Sequence, residues 1–194
     1  MPPKFTATDF QTYAARLSDI LNRQCWDQVE VLANDLLDAW RRGRQVLICG
    51  NGGSAANAIH WANDLFYVIA KTGGKGMRIL ALPANQAVTT CLANDIGYDD
   101  VFSTQVATFG REGDLLIVLS GSGNSPNVVR ALHAAKGIGM KTIALTGYSG
   151  GECKNLADVP VHFPVDDMQI AEDLQLIVCH MLAQTLCKAA PAAP

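Results

Sequence analysis

The chain has 194 residues, 49% hydrophobic and 17% charged, with a net charge of −3. That is enough apolar chain for one domain with a substantial core, and too little charge for a disordered one. No long basic run occurs, no apolar stretch reaches the roughly 18 residues that span a bilayer, and no apolar signal core follows Met1-Pro2-Pro3-Lys4, so neither nucleic acid nor membrane is an expected partner and a cytoplasmic protein is expected.

Residues 8–42 predict two helices, an N-terminal pair within 5–43. Phe10, Tyr13, Leu17, Ile20 and Leu21 recur at helical spacing, as do Trp26, Val29, Leu32, Leu36, Leu37 and Trp40. Thr8 and Gln11 can form a capping box, and Gly43 is a stop. From residue 45 to 188 strand and helix alternate: strands at 45–49, 78–82, 115–120, 141–146 and 159–164, helices at 54–70, 86–94, 99–110, 125–138 and 168–188. The runs at 45, 115 and 141 are continuously apolar, as in strands covered on both faces. The pattern predicts an α/β fold, a three-layer α/β/α sandwich around a mainly parallel five-stranded sheet. The tail Ala189–Pro194 reads as frayed. Of six cysteines, Cys49, Cys91, Cys179 and Cys187 read as small core residues and Cys25 and Cys153 are undecided; with no Cys-x-x-Cys, neither a thiolate metal site nor a disulfide is expected.

Two turns carry the clearest chemistry. Gly50-Asn51-Gly52-Gly53-Ser54 follows the first strand, and Ser120-Gly121-Ser122-Gly123-Asn124-Ser125 follows the third. Each opens a helix. Glycine lets the backbone approach a ligand closely, free N–H groups at a helix start attract an anion, and serine adds donors without charge. Together they point to a phosphorylated small molecule. Neither turn has the spacing of a dinucleotide fingerprint, and neither ends in Gly-Lys-Ser/Thr. Further on, His60 and Asp64 are four residues apart and share a helix face, and Glu172 and His180, eight apart, are roughly on one face of the last helix with Gln169 and Gln175 near. His180 sits in an apolar run, which alone favours a core histidine, and His60 beside Trp61 reads similarly; His133 and His162 read as structural or solvated. Were the two helices to meet, two imidazoles and two carboxylates could transfer protons or hold a divalent ion.

Gly50–Ser54, Asn94-Asp95, Ser122-Gly123-Asn124-Ser125 and Leu145-Thr146-Gly147, in that order, resemble the sugar isomerase (SIS) domain and, within it, the phosphoheptose isomerases. The resemblance spans nearly the whole chain, as one SIS domain over 1–194. It implies isomerisation of sedoheptulose 7-phosphate to a glycero-manno-heptose 7-phosphate, on the way to surface heptose, in a homotetramer with sites at subunit interfaces. It places the phosphate on Asn51, Gly52, Gly53, Ser54, Ser120, Gly121, Ser122 and Ser125, sugar hydroxyls on Asn94 and Asp95, and further substrate contacts on Gln169 and Glu172. It puts Asp64 at the family's catalytic glutamate and His180 at its catalytic histidine. It maps a zinc or other divalent-metal set onto His60, Asp64, Glu172 and His180. Glu has become Asp at 64, Gln has become Glu at 172, an aspartate has become Gln169, and Gly121 stands where the family often has Thr. The alternative is a non-catalytic phosphosugar-binding module: the replication-initiator-associating branch resembles Ser54-Ala55-Ala56-Asn57-Ala58 but lacks the carboxylate and the histidine.

Overall fold

Two amphipathic helices open the computed structural model, which describes residues 5–189; of the tail expected to fray, Ala189 instead ends the last helix and the residues after it lie outside those described. Helix α1 (Ala7–Arg23) starts two residues before the expected box, because Asp9 reaches back to accept from the Thr6 N–H at 2.7 Å. Helix α2 (Asp27–Arg42) buries Val29, Leu32, Leu36 and Ala39. It stops at Gly43, whose φ of 66° gives the left-handed cap, its N–H pointing at the Ala39 and Trp40 carbonyls.

The sheet follows as β1 (Gln45–Gly50), β2 (Arg78–Ala81), β3 (Leu115–Ser120), β4 (Lys141–Thr146) and β5 (Val159–His162), all parallel in the order β2-β1-β3-β4-β5. Alternation within β1 sorts the core. Val46 and Ile48 face one layer with α2, α3 (Gly52–Asn63) and α9 (Met168–Ala189); Leu47 and Cys49 face the other with α6 (Val101–Phe109), α7 (Pro126–Ile138) and α8 (Gly151–Leu156). Helix α4 (Ala70–Gly73) and α5 (Gln86–Asp95) complete the set.

Strand order reverses at β1. The chain leaves β1 for β2 on one side, while β3 lies on the other, and the helices that follow β1 and β3 cover opposite faces. The loops after β1 and β3 therefore diverge and leave a crevice at the strand C-termini, the usual ligand position in such sheets.

Three differences from the sequence reading have physical causes. The helix expected over 54–70 changes at Asp64 into a π-helical segment, Asp64–Val68, closed by Ile69 N–H on the Asp64 carbonyl at 3.4 Å. Helix α8 was not anticipated: its six residues follow a Tyr-Ser-Gly-Gly turn and carry only one buried residue, Cys153, so periodicity has nothing to register. Cys91, expected in the core, is exposed on α5, whereas Cys49 and Cys179 are buried; all six thiols are free.

Candidate functional site

The two glycine-serine loops face one another across a cleft of about 240 Å³ lined by Asn51, Gly52, Gly53, Ser54, Ser120, Gly121, Ser122 and Ser125, with Met168 and Glu172 from α9. In the second loop the Ser120 hydroxyl oxygen accepts the Gly123 N–H at 3.0 Å and that of Ser122 accepts the Asn124 N–H at 3.3 Å. Each hydroxyl keeps its proton for an outside acceptor. Gly123 holds φ at 69°, which the loop's return requires. The first loop is pinned from behind: Asn51 and Asn127 exchange amide hydrogen bonds at 2.8 and 2.9 Å, and the Tyr98 hydroxyl donates to Asn51 Oδ1 at 2.9 Å. Asn127 is 1% exposed. Its place two residues past the second loop was the available sequence signal, and the sequence reading missed both it and Tyr98.

Glu172 lies against Gly53 so closely that any Cβ at 53 would strike its carboxylate. Gly121 is complementary to Met168 in the same way: the thioether fills the space a side chain at 121 would need.

One stretch of helix further, His60, Asp64 and His180 converge. The two Nε2 atoms are 3.0 Å apart, and Asp64 Oδ2 is 3.4 Å from His60 Nε2 and 3.7 Å from His180 Nε2. Asn63 donates to the other Asp64 oxygen at 3.0 Å, leaving Oδ2 to the imidazoles. These three donor atoms could hold a metal ion. Asp64 is almost buried, while the His180 side chain is 48% exposed, so it is not the core histidine that its apolar run favoured. A second hollow of about 430 Å³ opens beside it, between Val68 and Gln184. Next in sequence, Cys179 has its thiol pushed up, by burial first and by the Asp64 charge second.

Not every expected residue joins this arrangement. Glu172 was expected both to contact the substrate and to be a fourth metal ligand; it lines the loop cleft, and eight residues of helix carry it roughly 12 Å along the α9 axis from His180, outside the group of His60, Asp64 and His180. Asn94 and Asp95 stand exposed at the end of α5, hydrogen-bonded to each other at 2.7 Å, and Gln169 is exposed at the start of α9; none of the three lines the cleft. His133 lies near Glu152 at 3.8 Å and His162 bonds the Tyr148 carbonyl at 3.0 Å, both structural or solvated as expected. The larger hollow of about 590 Å³ is at the strand N-termini, among Gln45, Arg78 and Asp114, away from both loops.

Residues 9–147 match the SIS domain family model. The chain is 42% identical over 153 residues to a phosphoheptose isomerase of Chlorobaculum parvum, covering 78% of this chain and 73% of that protein. The solved phosphoheptose isomerase of Neisseria gonorrhoeae superposes with a TM-score of 0.84 at 31% identity, over 92% of this chain and 95% of that one. That of Francisella tularensis does so with a TM-score of 0.86 at 27% identity, over 95% and 100%.

Proposed function

The chain belongs to the SIS-domain family and, within it, to the phosphoheptose isomerases, and we propose that it interconverts sedoheptulose 7-phosphate and a glycero-manno-heptose 7-phosphate through an enediol. One observation carries the assignment of substrate to residues. Helix α3 starts at the anion cleft with Ser54 and reaches the convergent set with His60 six residues later, roughly 9 Å along the axis. A heptose with its phosphate at one end and its carbonyl at the other needs two such stations, separated by the length of its carbon chain.

The phosphate binds Ser54, Ser120, Ser122 and Ser125 and the N–H groups at the starts of α3 and α7. Asp64 and His180 share the proton transfers: one group removes a proton from the carbon beside the carbonyl, and a proton returns to the neighbouring carbon. Glu172 lines the loop cleft, where a carboxylate can accept from sugar hydroxyls.

The donor set fits a divalent ion, zinc first. Donors around a tetrahedral zinc with bonds of about 2.0–2.1 Å are about 3.3 Å apart, and the distances among His60, Asp64 and His180 are 3.0, 3.4 and 3.7 Å. When bound there, the ion would polarise the substrate carbonyl and stabilise the enediolate. The reading includes a homotetramer in the cytoplasm; free thiols at Cys49, Cys153 and Cys179, all buried, suit a reducing compartment.

The test is to incubate the purified protein with sedoheptulose 7-phosphate, with and without zinc, and follow the aldose by NMR. His180→Ala should abolish turnover while inorganic phosphate still binds. Wild-type turnover in His180→Ala removes the histidine from the mechanism; no turnover under either condition replaces the enzyme with a phosphosugar-binding module.

A further inference from the structure

Behind the phosphate cleft, a buried amide connects α9 to Ser54. Gln175 is 3% exposed, and its Nε2 donates to the Ser54 hydroxyl oxygen at 3.1 Å. Its Oε1 accepts from Asn57 Nδ2 at 3.0 Å, and its backbone carbonyl accepts the Trp61 indole N–H at 3.0 Å. The direction of this chain is fixed at its far end. Asn57 Nδ2 also donates to the Glu172 backbone carbonyl at 2.9 Å. A carbonyl oxygen can only accept, so the amide nitrogen of Asn57, not its oxygen, must lie there. That nitrogen then faces Gln175, which must present its oxygen to Asn57 and its nitrogen to Ser54.

We propose that Gln175 is a positioning residue that fixes the Ser54 hydroxyl as a donor to the substrate phosphate. A serine hydroxyl has one proton. With its oxygen already accepting from Gln175, that proton must be given elsewhere, and the cleft is what Ser54 lines. Ser120 and Ser122 of the second loop reach the same state by accepting N–H groups of their own loop. Ser54 instead depends on a side chain from α9, the helix that also carries Glu172 and His180. The phosphate station and the proton-transfer station are thereby held in register by one buried amide.

The inference rests on the cleft being the phosphate site, and the experiment separates the two. Inorganic phosphate affinity is measured by calorimetry in a double-mutant cycle of Ser54→Ala and Gln175→Met. Methionine is unbranched, has a similar length and neither donates nor accepts an amide hydrogen bond, so it removes the orienting bond with little change in packing. In the wild-type background Ser54→Ala should weaken phosphate about tenfold or more; in Gln175→Met it should cost less than about twofold, because the hydroxyl is no longer aimed. Gln175→Met alone should raise KM for the sugar phosphate and leave kcat near wild type, a split that general destabilisation does not produce. Should Gln175→Met not fold, Asn57→Ala frees the Gln175 amide to turn and is predicted to show the same non-additivity with Ser54→Ala. Equal costs of Ser54→Ala in both backgrounds overturn the role of Gln175. No cost of Ser54→Ala in the wild type overturns the cleft reading, and the role of Gln175 with it.

Discussion

Asp64 divides its carboxylate between Asn63, at 3.0 Å on one oxygen, and the two imidazoles on the other. Its backbone opens the π-helical segment, in which one extra residue is accommodated and the following side chains rotate. Asp64→Asn preserves the shape and the Asn63 contact but removes the charge and the basic oxygen. It should lower kcat/KM for isomerisation by about 10²–10⁴-fold, with phosphate affinity unchanged because the cleft is a separate station; a loss below tenfold would take Asp64 out of the chemistry. The i, i+4 spacing of His60 and Asp64 was readable in the sequence, since helix geometry alone puts them on one face. That His180 joins them was not, because it needs the packing of α9 on α3. Its apolar neighbours argued for burial, yet only the opposite face of α9, with Val178 and Cys179, enters the core. The anion loops were legible for the opposite reason: strand, glycine and serine are contiguous. The supporting contacts of Asn127, Tyr98 and Gln175 are long-range amide and hydroxyl bonds with no local pattern.

Helix α9 is held at its start by Asp167, whose carboxylate accepts the Ile170 N–H at 3.2 Å and pairs with Arg16 of α1 at 3.0 Å. The backbone hydrogen bond from Ile170 is the main cause that keeps its carboxyl below the ordinary aspartate value of 3.8, with Arg16 adding to it against a smaller desolvation penalty. A carboxyl lowered in the folded state stabilises fully above its unfolded value and ceases to do so as pH falls through its native value. The urea midpoint of Asp167→Asn should therefore lie below wild type at neutral pH, and the two should converge in acid, below pH 3.8. A gap that persists unchanged in acid would assign the contribution to shape rather than charge. At this scale the sequence was most readable where pattern and burial coincide. Strands β1, β3 and β4 are continuous apolar runs because helices cover both faces; β5 ended two residues earlier than expected, since after the Phe163 N–H bonds the Thr146 carbonyl at 2.9 Å the next residue, Pro164, has no N–H to donate. Where an element is short, as α8 is, or where helix type changes without a change of composition, as at Asp64, hydrophobic period has nothing to read.

Exposed apolar side chains occur on several elements. In α1 no residue is buried, and Phe5 and Phe10 are 83% and 70% exposed. Ile59, Phe66 and Tyr67 are exposed on and after α3, Ile96 and Tyr98 just after α5, and Met181 beside His180. So much exposed apolar surface is characteristic of association. It bears on two of the three expected residues that stand away from the cleft of their own chain. Asn94 and Asp95, expected to bind sugar hydroxyls, are exposed close to Ile96 and Tyr98, on a surface that a neighbour would cover. In a homotetramer with sites at its interfaces they can complete the cleft of the adjacent subunit. Light scattering should give the mass of four chains, and Phe10→Asp should reduce it, since burying an unpaired carboxylate in an apolar contact opposes assembly. The shared site makes a sharper prediction. Asp95→Ala and His180→Ala should each be nearly inactive as homotetramers. Co-expressed, they form mixed tetramers in which some interfaces pair an intact His180 from one subunit with an intact Asp95 from another, and turnover should return. Failure to recover activity in tetramers shown to be mixed would confine Asp95 to its own chain's surface and leave each cleft to be built from a single subunit.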